Sequence, residues 1–455
     1  MTGKEILFKA LHNELTPRPA WVPFVGVHGG QLIGVKASDY LRSADLIVKG
    51  LNEAVARYAP DGLPMLFDLQ LEAEAMGCEL AWADETPPAV KTHPLGGGGS
   101  LAHLPPFDLG AGRLPIAFEV TRRMKESAGD RIALYGLLCG PFTLAMHLMG
   151  NDLFMQMYDH PDYVKAVVGY CASIGCKMAQ AYIDAGADVI AVVDPMTSQI
   201  SPEHFTEFVA PYVNQIFDVV RERGHFSSLF VCGDASRNLS EMSKTSCDNL
   251  SIDENIPLGL LRDTSRTTGK SFGGNLKLTA VLLFGDEDDS RLDAIRCIDV
   301  AGGAGFILAP GCDLPYAVPP QNLVAVSEMV HDGYQREICK RTIIAKELSA
   351  ASCDLPVDYR ALPHVTVDVV TLDSASCAPC QYMMDAVHRA ASMIGKPVVV
   401  KEHRISSREG IAAMQKLGVK NIPTICIDGQ IVFVSIIPDQ RTLVARIEQA
   451  LKAKA

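Results

Sequence analysis

Short apolar runs recur along most of this chain, and each stops abruptly on a polar residue, a cysteine or a glycine-rich turn. Leu63 to Phe67 runs into Asp68, Ile132 to Leu138 into Gly140-Pro141-Phe142-Thr143, and Asp188 to Val193 into Asp194-Pro195. Ser228 to Val231 runs into Cys232-Gly233, Asn249 to Ile252 follows, Ser271 to Gly274 runs into Asn275, and Gly305 to Leu308 leads to Pro310-Gly311-Cys312. Longer amphipathic stretches separate the runs. Strands alternating with helices predict βαβ units and a parallel sheet. Without a dinucleotide fingerprint, a stretch of this length closes best as an eight-fold β/α barrel, whose chemistry sits at the strands' C-terminal ends. Asp68, Asp194, Cys232, Asn275 and Cys312 are therefore expected on one rim. Two thiols there suit a soft metal such as zinc, or a redox pair. They also suit two ordinary buried cysteines, and spacing alone leaves these readings open.

A second pattern begins where the barrel is expected to end. The charged stretch from Tyr334 to Leu348 closes a domain of residues 1–348, residues 349–363 with Pro356 and Pro363 form a linker, and residues 364–455 form a small α/β domain. Val365 to Thr371 predicts a strand, Cys377-Ala378-Pro379-Cys380 opens a helix reaching Ile394, and Val398 to Glu402 is a further strand. A helix over Ser407 to Leu417 leads to a hairpin, Thr424 to Ile427 and Ile431 to Ser435 across Asp428-Gly429, and then a closing helix from Asp439 to Lys454. This βαβαββα order is that of a minimal thioredoxin-like domain. A Cys-x-x-Cys at a helix N-terminus marks a nucleophilic thiolate stabilised by unpaired N–H groups. Cys377 is then the attacking thiol and Cys380 the resolving one, serving a thiol-disulfide partner. Ile422-Pro423-Thr424 resembles the cis-proline loop that faces the disulfide in thioredoxins.

Composition narrows the function. The chain has 455 residues, 48% of them hydrophobic, with a net charge of −12, which gives no electrostatic footprint for nucleic acid or an anionic membrane. No apolar run approaches the roughly 18 residues of a membrane span. The N-terminus lacks the features of a signal peptide, and thirteen scattered cysteines form no disulfide framework, so a cytoplasmic setting is expected.

The residues of the first domain resemble the uroporphyrinogen decarboxylase superfamily, particularly its corrinoid:thiol methyltransferases. The resemblance rests on Glu72-Ala73-Glu74-Ala75-Met76-Gly77, Gly140-Pro141-Phe142-Thr143-Leu144-Ala145, Asp194-Pro195 with Ile200-Ser201-Pro202-Glu203-His204-Phe205, Ala210-Pro211-Tyr212, and Ala309-Pro310-Gly311-Cys312. Decarboxylases of the family bind a macrocycle bearing eight carboxylates through an arginine-bearing N-terminal loop. Here that loop, Val25-Gly26-Val27-His28-Gly29-Gly30, has no arginine. Asp68 matches the decarboxylases' essential aspartate, whereas His147 stands where they carry a tyrosine and Cys312 where they carry a histidine.

The methyltransferase branch holds zinc with His-x-Cys-Gly and a distant cysteine. Cys232-Gly233 and Cys312 match, but Phe230 takes the histidine position. The resemblance implies zinc on Cys232 and Cys312, completed by Asp194, His147, His28 or a substrate thiol. It also implies a methyl-corrinoid co-substrate, delivered by a corrinoid protein, and a small-molecule thiol acceptor. His28 and Asn275 are further candidates for contacting a bound group, Pro423 for the second domain's partner. Two other readings are a redox-regulated tetrapyrrole- or corrinoid-binding protein without catalysis, and a decarboxylase.

The helix N-terminus makes Cys377 the more acidic thiol of its pair. Iodoacetamide at mildly acidic pH should alkylate Cys377 ahead of Cys380, read by peptide mass spectrometry. Equal labelling would remove that assignment.

Overall fold

In a computed structural model of the chain, the described residues are 1–342, 355–372, 374, 377–395, 397–405 and 407–454. They form two compact units, with the main division between Lys346 and Glu347. Of the expected linker, residues 349–354 lie outside the described residues, as does the end of the expected helix near Leu348.

The first unit is built on eight parallel strands: β1 (Ala20–Trp21), β2 (Gly62–Pro64), β3 (Ala133–Cys139), β4 (Val189–Val193), β5 (Phe226–Val231), β6 (Asn249–Ile252), β7 (Ser271–Leu276) and β8 (Phe306–Pro310). The pairing runs β2-β3-β4-β5-β6-β7-β8-β1, so the sheet curls almost fully round. The gap between β1 and β2 is spanned by Asp61. Its N–H donates to Trp21 O (2.8 Å) and its carboxylate accepts from Trp21 N (2.8 Å). Arg18 holds the same carboxylate with two bonds of 2.6 and 2.8 Å. The structure makes Ala20–Trp21 the first strand, too short for any periodicity to reveal.

Every residue of β3 and β4 is buried, as strands covered on both faces require. The outer helices bury single stripes. That of Ala210–Glu222 buries Val213, Ile216, Phe217 and Val220 at the spacing of one helical face. Among the described residues no helix is long and apolar enough to cross a membrane.

The second unit has a four-stranded sheet, with β9 (Val365–Thr371) parallel to β10 (Val398–Arg404) and antiparallel to β11 (Thr424–Ile427), which pairs with β12 (Gln430–Val434). Asp428 and Gly429 turn this hairpin with φ of 46° and 76°, the left-handed geometry an Asp-Gly turn supplies. Helices Ala378–Ile394, Arg408–Lys416 and Gln440–Lys454 complete it. Val365, Val367 and Val369 pack with Met383, Val387, Leu443 and Ile447 on one side, while Val370, Cys426 and Ile405 form a core on the other.

Leu355 and Tyr359, inside the expected linker, pack against that second core. The Tyr359 hydroxyl donates to the buried Asp368 (2.7 Å), whose other oxygen contacts His403 Nε2 (2.7 Å). A fragment starting at Pro363 leaves one oxygen of a buried carboxylate without this donor. A fragment starting at Leu355 should therefore be more stable by about 1–3 kcal/mol, measured by urea unfolding of the two. Identical midpoints would deny Tyr359 that role.

Candidate active site at the barrel mouth

The strand ends gather the mouth as the apolar runs imply. Cys232 directly follows β5 and Cys312 lies just beyond β8, and their sulfurs are 2.7 Å apart. Both are partly exposed and both pack against the barrel core. Cys232 lowers the pKa of Cys312, but burial and the negative charges of Asp253 and Asp313 together push it up.

The floor beside the sulfurs is aromatic. Phe230 packs against Phe24 and Phe67 with ring centroids 5.3 and 6.2 Å away, and Phe24 lies 5.8 Å from Phe67. The three rings also line a cavity of about 20 Å³ inside the barrel, with Ser228, Asn249 and Ser251 on its wall. That is room for about one water, and the polar wall can bind it. Ser228 Oγ donates to Asn249 Oδ1 (2.8 Å), and Asn249 Nδ2 to Ser271 Oγ (3.0 Å).

The sequence-predicted residues do not all converge. Asp68 is buried and paired with Arg113, which also donates to Glu74 (2.8 Å). Its other oxygen accepts from Gln70 N (2.9 Å). Asp194 is fully buried, accepting from Phe142 N (3.2 Å), Thr143 N (2.8 Å) and Thr143 Oγ1 (2.6 Å) at the start of helix Pro141–Met149. A Cβ on Gly140 would come within 2.3 Å of the Asp194 side chain, so the Gly-Pro-Phe-Thr turn and Asp194 are two halves of one capping device. Burial pushes the Asp194 carboxyl up to about 6 against the pull of the Thr143 and Phe142 donors.

His28 uses both ring nitrogens, one with Tyr58 OH (2.7 Å) and one with Tyr316 O (3.2 Å), and burial lowers its pKa to about 4. His147 is buried in the last turn of helix Pro141–Met149, its pKa lowered to about 3 by burial. Its carbonyl accepts from His93 Nδ1 (2.8 Å) and the Cys78 thiol (3.7 Å). Asn275 spends its amide on the carbonyls of Asp253 (3.2 Å) and Ile256 (2.6 Å), holding the loop after β6. In the second unit Cys377 caps helix Ala378–Ile394, Cys380 is fully buried with its sulfur 2.6 Å from that of Cys377, and the Ile422–Pro423 peptide is cis.

Four further residues shape this region, none of them expected from sequence as a site residue. Asp253 follows β6 by the rule that found Asp194, and it accepts from the backbone N–H of Asn255 (2.9 Å). Asp313 follows Cys312 and lies so near the left-handed Gly26 that any side chain there would collide with it. Arg113 comes from a helix start remote in sequence and carries no local signal. Glu72 is fully buried, accepts from Cys139 N (3.0 Å), and is pushed up to about 8 by burial.

The zinc expected from the resemblance is not accommodated by these residues. Among the described residues no group of three or more His, Cys, Asp or Glu side chains is arranged to hold a metal ion. The structure does not bring His28, His147 or Asp194 to the two sulfurs, and Phe230 belongs to the aromatic floor. Catalytic zinc sites use three protein ligands. The sulfurs also stand closer than the ~3.8 Å that two thiolates on one tetrahedral zinc require.

Eight parallel strands with thiols and carboxylates at their C-terminal ends define a β/α barrel with an enzyme-type mouth. Residues 2–333 match the uroporphyrinogen decarboxylase (URO-D) family model, and the chain belongs to that family. It is 28% identical to the methylcobamide:CoM methyltransferase MtbA of Methanosarcina mazei over 333 residues, 72% of this chain and 97% of that protein. It is 26% identical to the uroporphyrinogen decarboxylase of Nitrosomonas europaea over 303 residues, covering 64% and 83%. The solved structure of a methyltransferase from Methanosarcina mazei superposes with a TM-score of 0.66 at 24% identity, covering 72% of this chain and 97% of that one.

Thr143→Val removes one donor from the buried Asp194 carboxylate and should cost about 1–3 kcal/mol at pH 7. The folded pKa of Asp194 lies above the ordinary value, so its contribution to stability is greatest below about pH 4 and is lost as pH rises through about 6. Losing the Thr143 donor raises the folded value further. The deficit of the variant should therefore be largest above pH 6 and shrink toward pH 4 in denaturant titrations. A pH-independent deficit would separate it from Asp194.

Proposed function

We propose that this chain transfers a methyl group between the cobalt of a corrinoid and the sulfur of a small thiol. The observation that carries the reading is the make-up of the mouth. Two sulfurs lie against an apolar aromatic floor, and the carboxylates of Asp253 and Asp313 lie beside Cys312. Arg113 is already paired with Asp68 and Glu74. A substrate with eight carboxylates needs a cationic mouth, so this one disfavours decarboxylation and suits the flat, largely apolar face of a corrinoid. The methyltransferase activity of the similar Methanosarcina mazei protein supports the same choice.

In the forward direction the thiolate sulfur attacks the methyl carbon, the S–C bond forms, and the Co–C bond breaks with its electron pair left on cobalt. The thiol proton goes to solvent. Zinc is given no step, because Cys232 and Cys312 supply two ligands and Phe230 none. A corrinoid protein is the expected methyl donor.

In this reading residues 1–348 form the barrel and residues 364–455 act as a thioredoxin-like dithiol module. Cys377 is its nucleophile, Cys380 resolves, and the loop at Pro423 meets a thiol-disulfide partner. A reducing, cytoplasmic compartment would keep these thiols available.

Reduced protein mixed with methylcobalamin and a small thiol should convert the methylated corrinoid in a thiol-dependent manner, followed by its visible spectrum. With no metal to lower the acceptor's pKa, the rate should climb about tenfold per pH unit until the thiol's own pKa of about 8.5. A rate that is flat from pH 6.5 to 8 would mean that the acceptor is activated by a metal. No conversion at any pH, with corrinoid still bound, would favour the non-catalytic binding reading that Phe230 in the histidine position also allows.

A further inference from the structure

We infer that Cys232 and Cys312 form a dithiol/disulfide couple that exchanges with small-molecule disulfides at the barrel mouth. Three observations carry this beyond the proposed methyl transfer, on which the inference rests only for the natural identity of the disulfide. First, the sulfurs are 2.7 Å apart although their residues are separated by eighty positions and delivered by different strands. The barrel rim thus holds them within bonding reach without any rearrangement of the chain. Second, both residues are partly exposed at the mouth, as Cys176 and Cys339 are elsewhere in the same unit, whereas Cys78, Cys139, Cys171, Cys247 and Cys297 are buried. A reagent that enters the mouth meets this pair. Third, the residue two positions before Cys232 is Phe230, locked against Phe24 and Phe67, so nitrogen does not compete to recruit a metal between the sulfurs.

The exchange balances without another redox group. One thiol, as its thiolate, attacks a sulfur of RSSR. The RS–SR bond breaks, one RS⁻ leaves and takes up a proton, and a protein mixed disulfide remains. The second thiol then loses its proton and attacks the protein sulfur of that mixed disulfide, expelling the second RS⁻, which is protonated in turn. RSSR is reduced to two RSH, and the pair is oxidised to Cys232–Cys312. A dithiol reductant reverses the protein half. In the reading proposed above, RSSR is the oxidised form of the acceptor thiol, so the mouth would generate the acceptor where it is consumed.

The test uses the full chain with Cys377→Ser and Cys380→Ser, so that the second unit contributes no dithiol. The reduced protein is treated with hydroxyethyl disulfide, and its peptides are mapped without reduction. A linked Cys232–Cys312 peptide pair that disappears with dithiothreitol is expected. In the further variant Cys232→Ser, Cys312 should carry a mercaptoethanol adduct instead. Methyl transfer from methylcobalamin is assayed in parallel on the reduced samples. Stable adducts on both cysteines without a link, or no reaction of either in folded protein, would overturn the inference. So would one zinc ion per chain that blocks linkage until a chelator removes it. A linked pair in protein whose reduced form transfers no methyl group would uphold the couple and remove the proposed function instead.

Discussion

The barrel depends on how its two shortest strands are brought together. β1 and β2 are too short to pair along their lengths, and the ring closes instead through Asp61, one of the most buried carboxylates in the chain. Its backbone N–H and carboxylate both engage Trp21, and Arg18 neutralises the charge through two bonds. A buried carboxylate is tolerable only when its lone pairs are satisfied and its charge is met, and here one residue meets both needs. Because closure fixes the direction of every strand, it puts the ends of β5 and β8 on the same rim. The meeting of Cys232 with Cys312 follows from that.

Strand ends were legible because each central strand is an apolar run interrupted by a residue unsuited to burial. β6 matches its expected span, Asn249 to Ile252, and β9, β11 and the helix after Cys377 match theirs closely. β1 was not legible. It contributes only Ala20 and Trp21, it is flanked by Pro19 and Pro23, and what makes it a strand is pairing with Ile307 and Leu308 far along the chain. The contact made by Tyr359, ahead of Pro363, was not legible for a related reason. Two prolines signal an irregular segment, but nothing local says that Tyr359 reaches a carboxylate buried in β9.

At the site, residue type was the legible part and free lone pairs were not. Asp194, His28 and Asn275 all sit where barrel chemistry is expected, yet each is saturated by its surroundings. Asp194 caps a helix, His28 bonds Tyr58 and Tyr316, and Asn275 holds two carbonyls. A sequence lists donors and acceptors but not which of them are already spent. Asp253 was passed over although the run before it, Asn249 to Ile252, was read as a strand. Arg113 and the Phe24-Phe67-Phe230 contact exist only in three dimensions.

Phe230 is where these constraints meet. Each aromatic pair in such a cluster contributes about 0.5–1.5 kcal/mol beyond the area it buries, so the floor gains from a phenyl ring at this position. A histidine there would lose much of that packing and would need a metal or a donor to satisfy a nitrogen facing an apolar wall, at a cost of about 1–3 kcal/mol if left unmet. A mouth that binds zinc recovers this cost through the metal. A mouth that does not bind zinc gains by replacing the nitrogen with carbon, and the two sulfurs are then left facing each other rather than an ion. The substitution of one ring therefore changes what the neighbouring thiols are able to do, although neither thiol has moved along the chain.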